Sequence, residues 1–169
     1  MDKRYAFIGN ETFGKYIKER LSQAGFIEEN DLASAPLVLS YFSKHSDTEE
    51  GFFGEGGIIG AVRPGTVIVD MSCSSPLLSA EIYRLALVNE LKYIEAPIVL
   101  NDYCAQDAFA LENTDMFVAG ESKDVAEAWL AIEALAGNIH QAGGVGSAQL
   151  MKTSYIAQMC ASIMYDMYL

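Results

Sequence analysis

The chain has 169 residues, 51% of them apolar and 20% charged, with 23 acids against 11 Lys and Arg and a net charge of −12. That length can bury one sizeable core, and the composition excludes a disordered chain. The shortage of clustered cations argues against a nucleic-acid surface, and no apolar run approaches the roughly 20 residues needed to span a bilayer.

In chain order, Tyr5-Ala6-Phe7-Ile8 is a buried-strand run ending at Gly9, and Thr12 to Ala24 carries helical spacing (Phe13, Tyr16, Ile17, Leu21) closed by Gly25. Leu37 to Phe42 predicts a second strand, followed by an acidic helix interrupted at Gly54, Gly56 and Gly57. Thr66 to Asp70 is a further strand, and Pro76 opens a helix to about Asn89, proline being favoured at a first helical position. Lys92 to Val99, Met116 to Ala119 and Ile139 to Gln141 predict strands, Val125 to Leu135 an amphipathic helix, and Ser147 onward a long apolar helix. Strands alternating with helices imply crossover connections, hence an α/β fold with a mostly parallel sheet.

In such sheets ligands bind beyond the carboxyl ends of the strands. The run Gly9-Asn10-Glu11-Thr12-Phe13-Gly14 follows a strand and opens a helix, where a G-x-G-x-x-G loop would cradle a pyrophosphate. Its first and third glycines are present and the middle one is Glu11, whose carboxylate competes for the positive helix end. Either this is an altered dinucleotide loop, with Gly9, Asn10, Thr12, Phe13 and Gly14 against the cofactor, or it is an ordinary strand-to-helix turn.

Four segments together resemble the amino-terminal domain of the β-hydroxyacid dehydrogenases, the family of 3-hydroxyisobutyrate and 6-phosphogluconate dehydrogenases. They are Phe7 to Gly14 with Ala24-Gly25; Leu37 to Phe42 followed by Phe53-Gly54-Glu55-Gly56-Gly57; Pro64 to Ser72 through Pro76; and Glu95-Ala96-Pro97 leading to Gly143-Gly144-Val145-Gly146 and Lys152. The resemblance implies a Rossmann-like domain over residues 1–146, with residues 147–169 forming the start of a helix that leads into a second domain. It implies nicotinamide-dependent oxidation of a small β-hydroxyacid, with Lys152 as the acid–base group at the substrate hydroxyl. Ser43 and Ser72 stand at strand ends where family members contact the cofactor, although serine there is equally a common turn residue.

Departures from the family pattern are as informative. Its asparagine one turn beyond the lysine is Ile156 here, and its Ser-Gly-Gly substrate loop is Val99-Leu100-Asn101, in which only Asn101 offers a side-chain donor to a substrate carboxylate. Only ten residues, Phe26 to Ala35, separate Gly25 from Pro36, too few for the family's second strand, helix and third strand. Glu28 and Glu29 stand where a ribose-binding acid would be sought, but read more readily as solvated loop acids. Seven acids and one lysine between positions 28 and 55 favour NAD over the extra phosphate of NADP.

His45 and His140 have no ligand-spaced neighbours, so no metal site is expected. The cysteines at 73, 104 and 160 form no disulfide framework, and Cys104 and Cys160 read as buried or idle thiols. The start of the chain is too short for a signal peptide, so a cytoplasmic protein is expected. The apolar C-terminal helix needs a partner, which predicts a homodimer through it. Two functions stay open: an NAD-dependent oxidoreductase domain, or a non-catalytic relative acting as a binding or assembly module.

Overall fold

A computed structural model describes residues 2–102 and 107–167. Eight strands form one mixed sheet: β1 (Arg4–Gly9), β2 (Ile27–Glu28), β3 (Leu37–Tyr41), β4 (Val67–Asp70), β5 (Lys92–Glu95), β6 (Ile98–Leu100), β7 (Thr114–Ala119) and β8 (Asn138–Gly143). The helices are α1 (Glu11–Gln23), α2 (His45–Phe53), α3 (Ile58–Ala61), α4 (Pro76–Val88), α5 (Ser122–Leu135) and α6 (Ser147–Met167). The sheet runs β2-β1-β3-β4-β5, all parallel, then meets β7 antiparallel, with β8 parallel beside β7.

Side-chain alternation divides the core. Leu37, Leu39, Val67 and Val69 point to the layer holding Phe13 and Ile17 of α1 and Ala128 and Ile132 of α5. Val38 and Ile68 point the other way, to Phe52 of α2, Ile58 of α3 and Ile82 of α4. Because both faces are covered, the central strands read as continuous apolar runs, as parallel strands do.

The Lys92–Val99 run is one strand in register but two in hydrogen bonding. Glu95 pairs with Ala119 and Ile98 with Met116, so a single antiparallel ladder passes through Ala96-Pro97. Pro97 has no N–H to donate, and its carbonyl still accepts from Phe117 N–H (3.1 Å). The chain therefore continues past the ends of the parallel strands, carrying β6 and the start of β7 above them.

The shortened segment after α1 does form a strand, but one of two residues. β2 pairs with β1 only at Arg4 and Tyr5. It stops opposite Tyr5, four residues before Gly9, which at ~3.3 Å per residue is about 13 Å short of the glycine loop. The edge of β1 from Ala6 to Gly9 is thereby left without a strand neighbour on that side.

Candidate functional site

Chain order reverses between β1 and β3, which makes their carboxyl ends the expected binding crevice. A cleft of about 420 Å³ lies there, lined by Ile8, Gly9, Asn10, Phe42, Ser43 and Asp47. Gly9 is required by this geometry: its φ is +129°, and a Cβ would sit 2.0 Å from the Tyr41 carbonyl oxygen. Gly14 allows α1 to lie against β1, since a Cβ there would meet the Phe7 ring at 2.6 Å. The first and third glycines thus do the jobs that a dinucleotide loop asks of them.

Most amides of this turn are already committed. Asn10 N–H donates to Tyr41 O (2.9 Å), Gly14 N–H to Asn10 O (2.8 Å), and Phe13 N–H to the capping Asn10 Oδ1 (3.1 Å). The amides of Glu11 and Thr12, in the first turn of α1, remain for an anion, and the Glu11 side chain is exposed. Glu11 lines a second cleft of about 300 Å³, with Phe7, Gly9, Gly14, Lys15 and Lys18, along the bare edge of β1. Phe13 contributes its ring to the core, stacked on Tyr41 at 3.8 Å between centroids, and Thr12 is exposed. Of the two acids sought for a ribose, Glu28 pairs with Lys18 (2.7 Å) and Glu29 with Arg4 (3.4 Å), both at the level of the β2 stub. The β1–β3 crevice therefore has helix-start amides at one side, while Glu28 and Glu29 are both engaged in ion pairs beside the β2 stub.

Ser72 lies one strand further on, fully buried. Its Oγ accepts from Phe42 N–H (3.0 Å) and its N–H donates to Asp70 Oδ1 (3.0 Å). Asp70 also accepts from Ser40 Oγ (2.9 Å) and Tyr93 OH (2.9 Å). Burial raises the Asp70 carboxyl above its ordinary range, and burial followed by the charges of Asp70 and Glu95 raises the Tyr93 phenol well above its own. This network ties β3, β4 and β5 together below the crevice; its serines, which sequence reading placed at the cofactor only in part, hold the strand ends in register.

Glu95 does for α6 what Asn10 does for α1. Its fully buried carboxylate accepts from Gly146 N–H (2.7 Å), Ala148 N–H (3.2 Å) and Gln149 N–H (3.2 Å), satisfying the helix's first donors. Gln149 Nε2 then donates to the Ser72 carbonyl (2.8 Å), so the first turn of α6 is held to both β4 and β5. Lys152 follows three residues later on the same stripe and is 7% exposed, so it is not a lysine of the helix surface. Ile156, one turn beyond, is 37% exposed.

Asn101 stands at the end of β6, across from the next turn of α6. Tyr155 OH donates to Asn101 Oδ1 (2.8 Å), Asn101 Nδ2 donates to Asp115 Oδ2, and Asp115 Oδ1 is hydrogen-bonded to His140 Nε2. Phe117 lies beneath, 5.0 Å from the His140 ring and 5.5 Å from that of Tyr155. Asp115, His140 and Tyr155 carried no signal in the sequence, because their partners are 14 to 54 residues away along the chain.

Gly9, Asn10 and Ser43 therefore share one crevice and Ser72 is built into its floor, whereas Lys152 lies on α6 and Asn101 follows β6, outside that crevice. Among the described residues no group of three or more His, Cys, Asp and Glu side chains could hold a metal ion. Cys73 and Cys160 are exposed, so of the two readings of Cys160, buried or idle, burial is excluded; Cys104 lies outside the described residues. Among the described residues no helix is long and apolar enough to cross a membrane.

A sequence-family profile described as the NAD binding domain of 6-phosphogluconate dehydrogenase matches residues 5–144. An uncharacterised oxidoreductase of Bacillus subtilis, YkwC, is 33% identical over 119 residues, which are 70% of this chain and 40% of that protein. A probable mitochondrial 3-hydroxyisobutyrate dehydrogenase-like protein of Arabidopsis thaliana is 31% identical over 117 residues, 69% of this chain and 37% of that one. The matched stretch thus spans well under half of each relative. Among solved structures, the 3-hydroxyisobutyrate dehydrogenase of Mycobacterium tuberculosis with L-serine has a TM-score of 0.78 at 20% identity, covering 92% of this chain and 59% of that one. An imine reductase from Myxococcus stipitatus in complex with NADP+ has a TM-score of 0.79 at 15% identity, covering 97% and 63%. These two likenesses support the fold.

Proposed function

Because the chain belongs to the family of NAD-binding domains typified by that of 6-phosphogluconate dehydrogenase, we propose that it is the cofactor-binding module of a nicotinamide-dependent oxidoreductase, of weakened cofactor affinity. The observation that supports this reading is the crevice between β1 and β3, where Gly9 makes the tight turn that opens α1 beside the Tyr41 carbonyl. Gly9, Asn10 and Ser43 would hold the cofactor there, with the Glu11 and Thr12 amides toward its phosphates. When bound, the nicotinamide supplies a hydride acceptor.

Lys152, buried on the α6 stripe, holds or releases the proton of a substrate hydroxyl. The ties of Gln149 and Tyr155 on either side of it orient that stretch of α6. NAD is preferred to NADP, since Asp47 lines the crevice and the region around it is acidic. The active form is a homodimer joined through α6.

Calorimetric titration of the whole chain with NAD and NADP tests the proposal. Binding of NAD at least as tight as that of NADP supports it. The absence of heat from either at millimolar cofactor would favour a second reading, a non-catalytic binding module, for which Glu11 and the two-residue β2 already speak.

A further inference from the structure

Helix α5 carries two stripes. Ala128, Ala131, Ile132 and Leu135 are buried against the sheet, as a helix crossing from β7 to the parallel β8 requires. Ser122, Val125, Ala126 and Trp129 stand at i, i+3, i+4 and i+7, so they share one side of the helix. That second stripe is one wall of a groove of about 640 Å³. Trp129, the single tryptophan of the chain, is half-buried in it. The groove has no lining residue in common with the β1–β3 crevice.

The carboxyl ends of β7 and β8 make the opposite wall. Val118 and Gln141 are register partners in this parallel pair, so their side chains leave the sheet on the same face. Val118 is buried in the layer that holds α5, and Ile139, two residues before Gln141, packs against the same layer. Gln141 therefore faces the α5 side as well, and there it is exposed. Gly144 completes the wall without a side chain. Its backbone is outside the left-handed region and a Cβ there would meet nothing within 4 Å, so neither conformation nor crowding demands a glycine. The missing side chain keeps the mouth of the groove open.

Of the lining residues only Glu121 carries a charge, and its Oε1 accepts from Tyr83 OH of α4 (3.1 Å). The rest is an indole, short aliphatic groups, a hydroxyl, glycine backbone and one amide. A concave site of this size, largely apolar with a few polar groups, suits a small molecule. An indole face favours contact with another ring, and a carboxamide offers a donor and an acceptor side by side. We infer that this groove binds an uncharged planar aromatic ring that carries an amide-like edge. The ring packs against Trp129, Val118 and Val125, and its donor and acceptor meet the side-chain amide of Gln141.

The test uses nuclear magnetic resonance of the isotopically labelled full chain. Its one tryptophan gives one indole N–H signal, which reports on this groove. The probes are naphthalene-2-carboxamide and decahydronaphthalene-2-carboxamide, which carry the same amide on an aromatic and on a saturated bicycle. The aromatic amide is expected to move the Trp129 indole and Gln141 side-chain signals together, and to bind about fivefold more tightly than the saturated one. Gln141→Leu is expected to weaken that binding by about fivefold. A saturated amide that binds as tightly overturns the inference, and so does a Trp129 signal that neither probe moves. Both results come from the wild-type chain and hold whether or not the variant folds. A folded Gln141→Leu chain that binds the aromatic amide unchanged overturns the amide pairing.

Discussion

Glu11 and Gly9 show how single residues shape the crevice. The Glu11 carboxylate, in the first turn of α1, competes with a phosphate for the positive helix end, so Glu11→Gly should raise NAD affinity by about tenfold, measured by calorimetry. Gly9→Ala should cost more than about 2 kcal/mol in urea unfolding, because the backbone is in the left-handed region and the new Cβ meets the Tyr41 carbonyl. Gly14→Ala should cost about 1 kcal/mol, its Cβ meeting only a ring that can tilt aside. At this scale the glycine loop was legible in the sequence, since its parts are consecutive. The use of Ser72 as a strand tie was not, because its partners Phe42 and Gln149 lie on other elements.

Helix α6 depends on a carboxylate from a distant strand. Burial raises the Glu95 carboxyl above its ordinary value of 4.5 even though three backbone N–H groups oppose the shift. A folded-state value above the unfolded one means that the folded chain holds the proton more tightly. Its stabilising contribution is therefore complete below about the unfolded value and is lost as pH rises through the folded one. Asp70 acts in the same direction. Urea unfolding of wild type and Glu95→Gln between acidic and neutral pH should show the wild type losing stability relative to the variant as pH rises. The helix itself was readable from its apolar spacing. Its cap was not, because Glu95 precedes Gly146 by 51 residues.

The whole molecule leaves apolar surface uncovered along α6. Leu150, Ile163, Met164 and Met167 are between 57% and 79% exposed, more than scattered single residues would explain. A homodimer through α6 predicts that sedimentation at micromolar concentration shows two copies, and that Ile163→Glu with Met164→Glu gives a folded monomer; a wild-type monomer would remove the proposal. The alternation of strands and helices, the family and the glycine loop followed from sequence alone, because each is written in local spacing: apolar period, helix caps and the close approach that only glycine permits. Tertiary structure decided the rest. The two-residue β2 falls short of the loop because its register on β1 begins at Arg4. Lys152 is buried on a helix that is tied at Ser72 and Asn101, and the hydrogen-bonded chain His140–Asp115–Asn101–Tyr155 exists only where β6, β7, β8 and α6 converge. Such arrangements depend on which distant residues share a space, and that is set by packing rather than by any run of neighbouring residues.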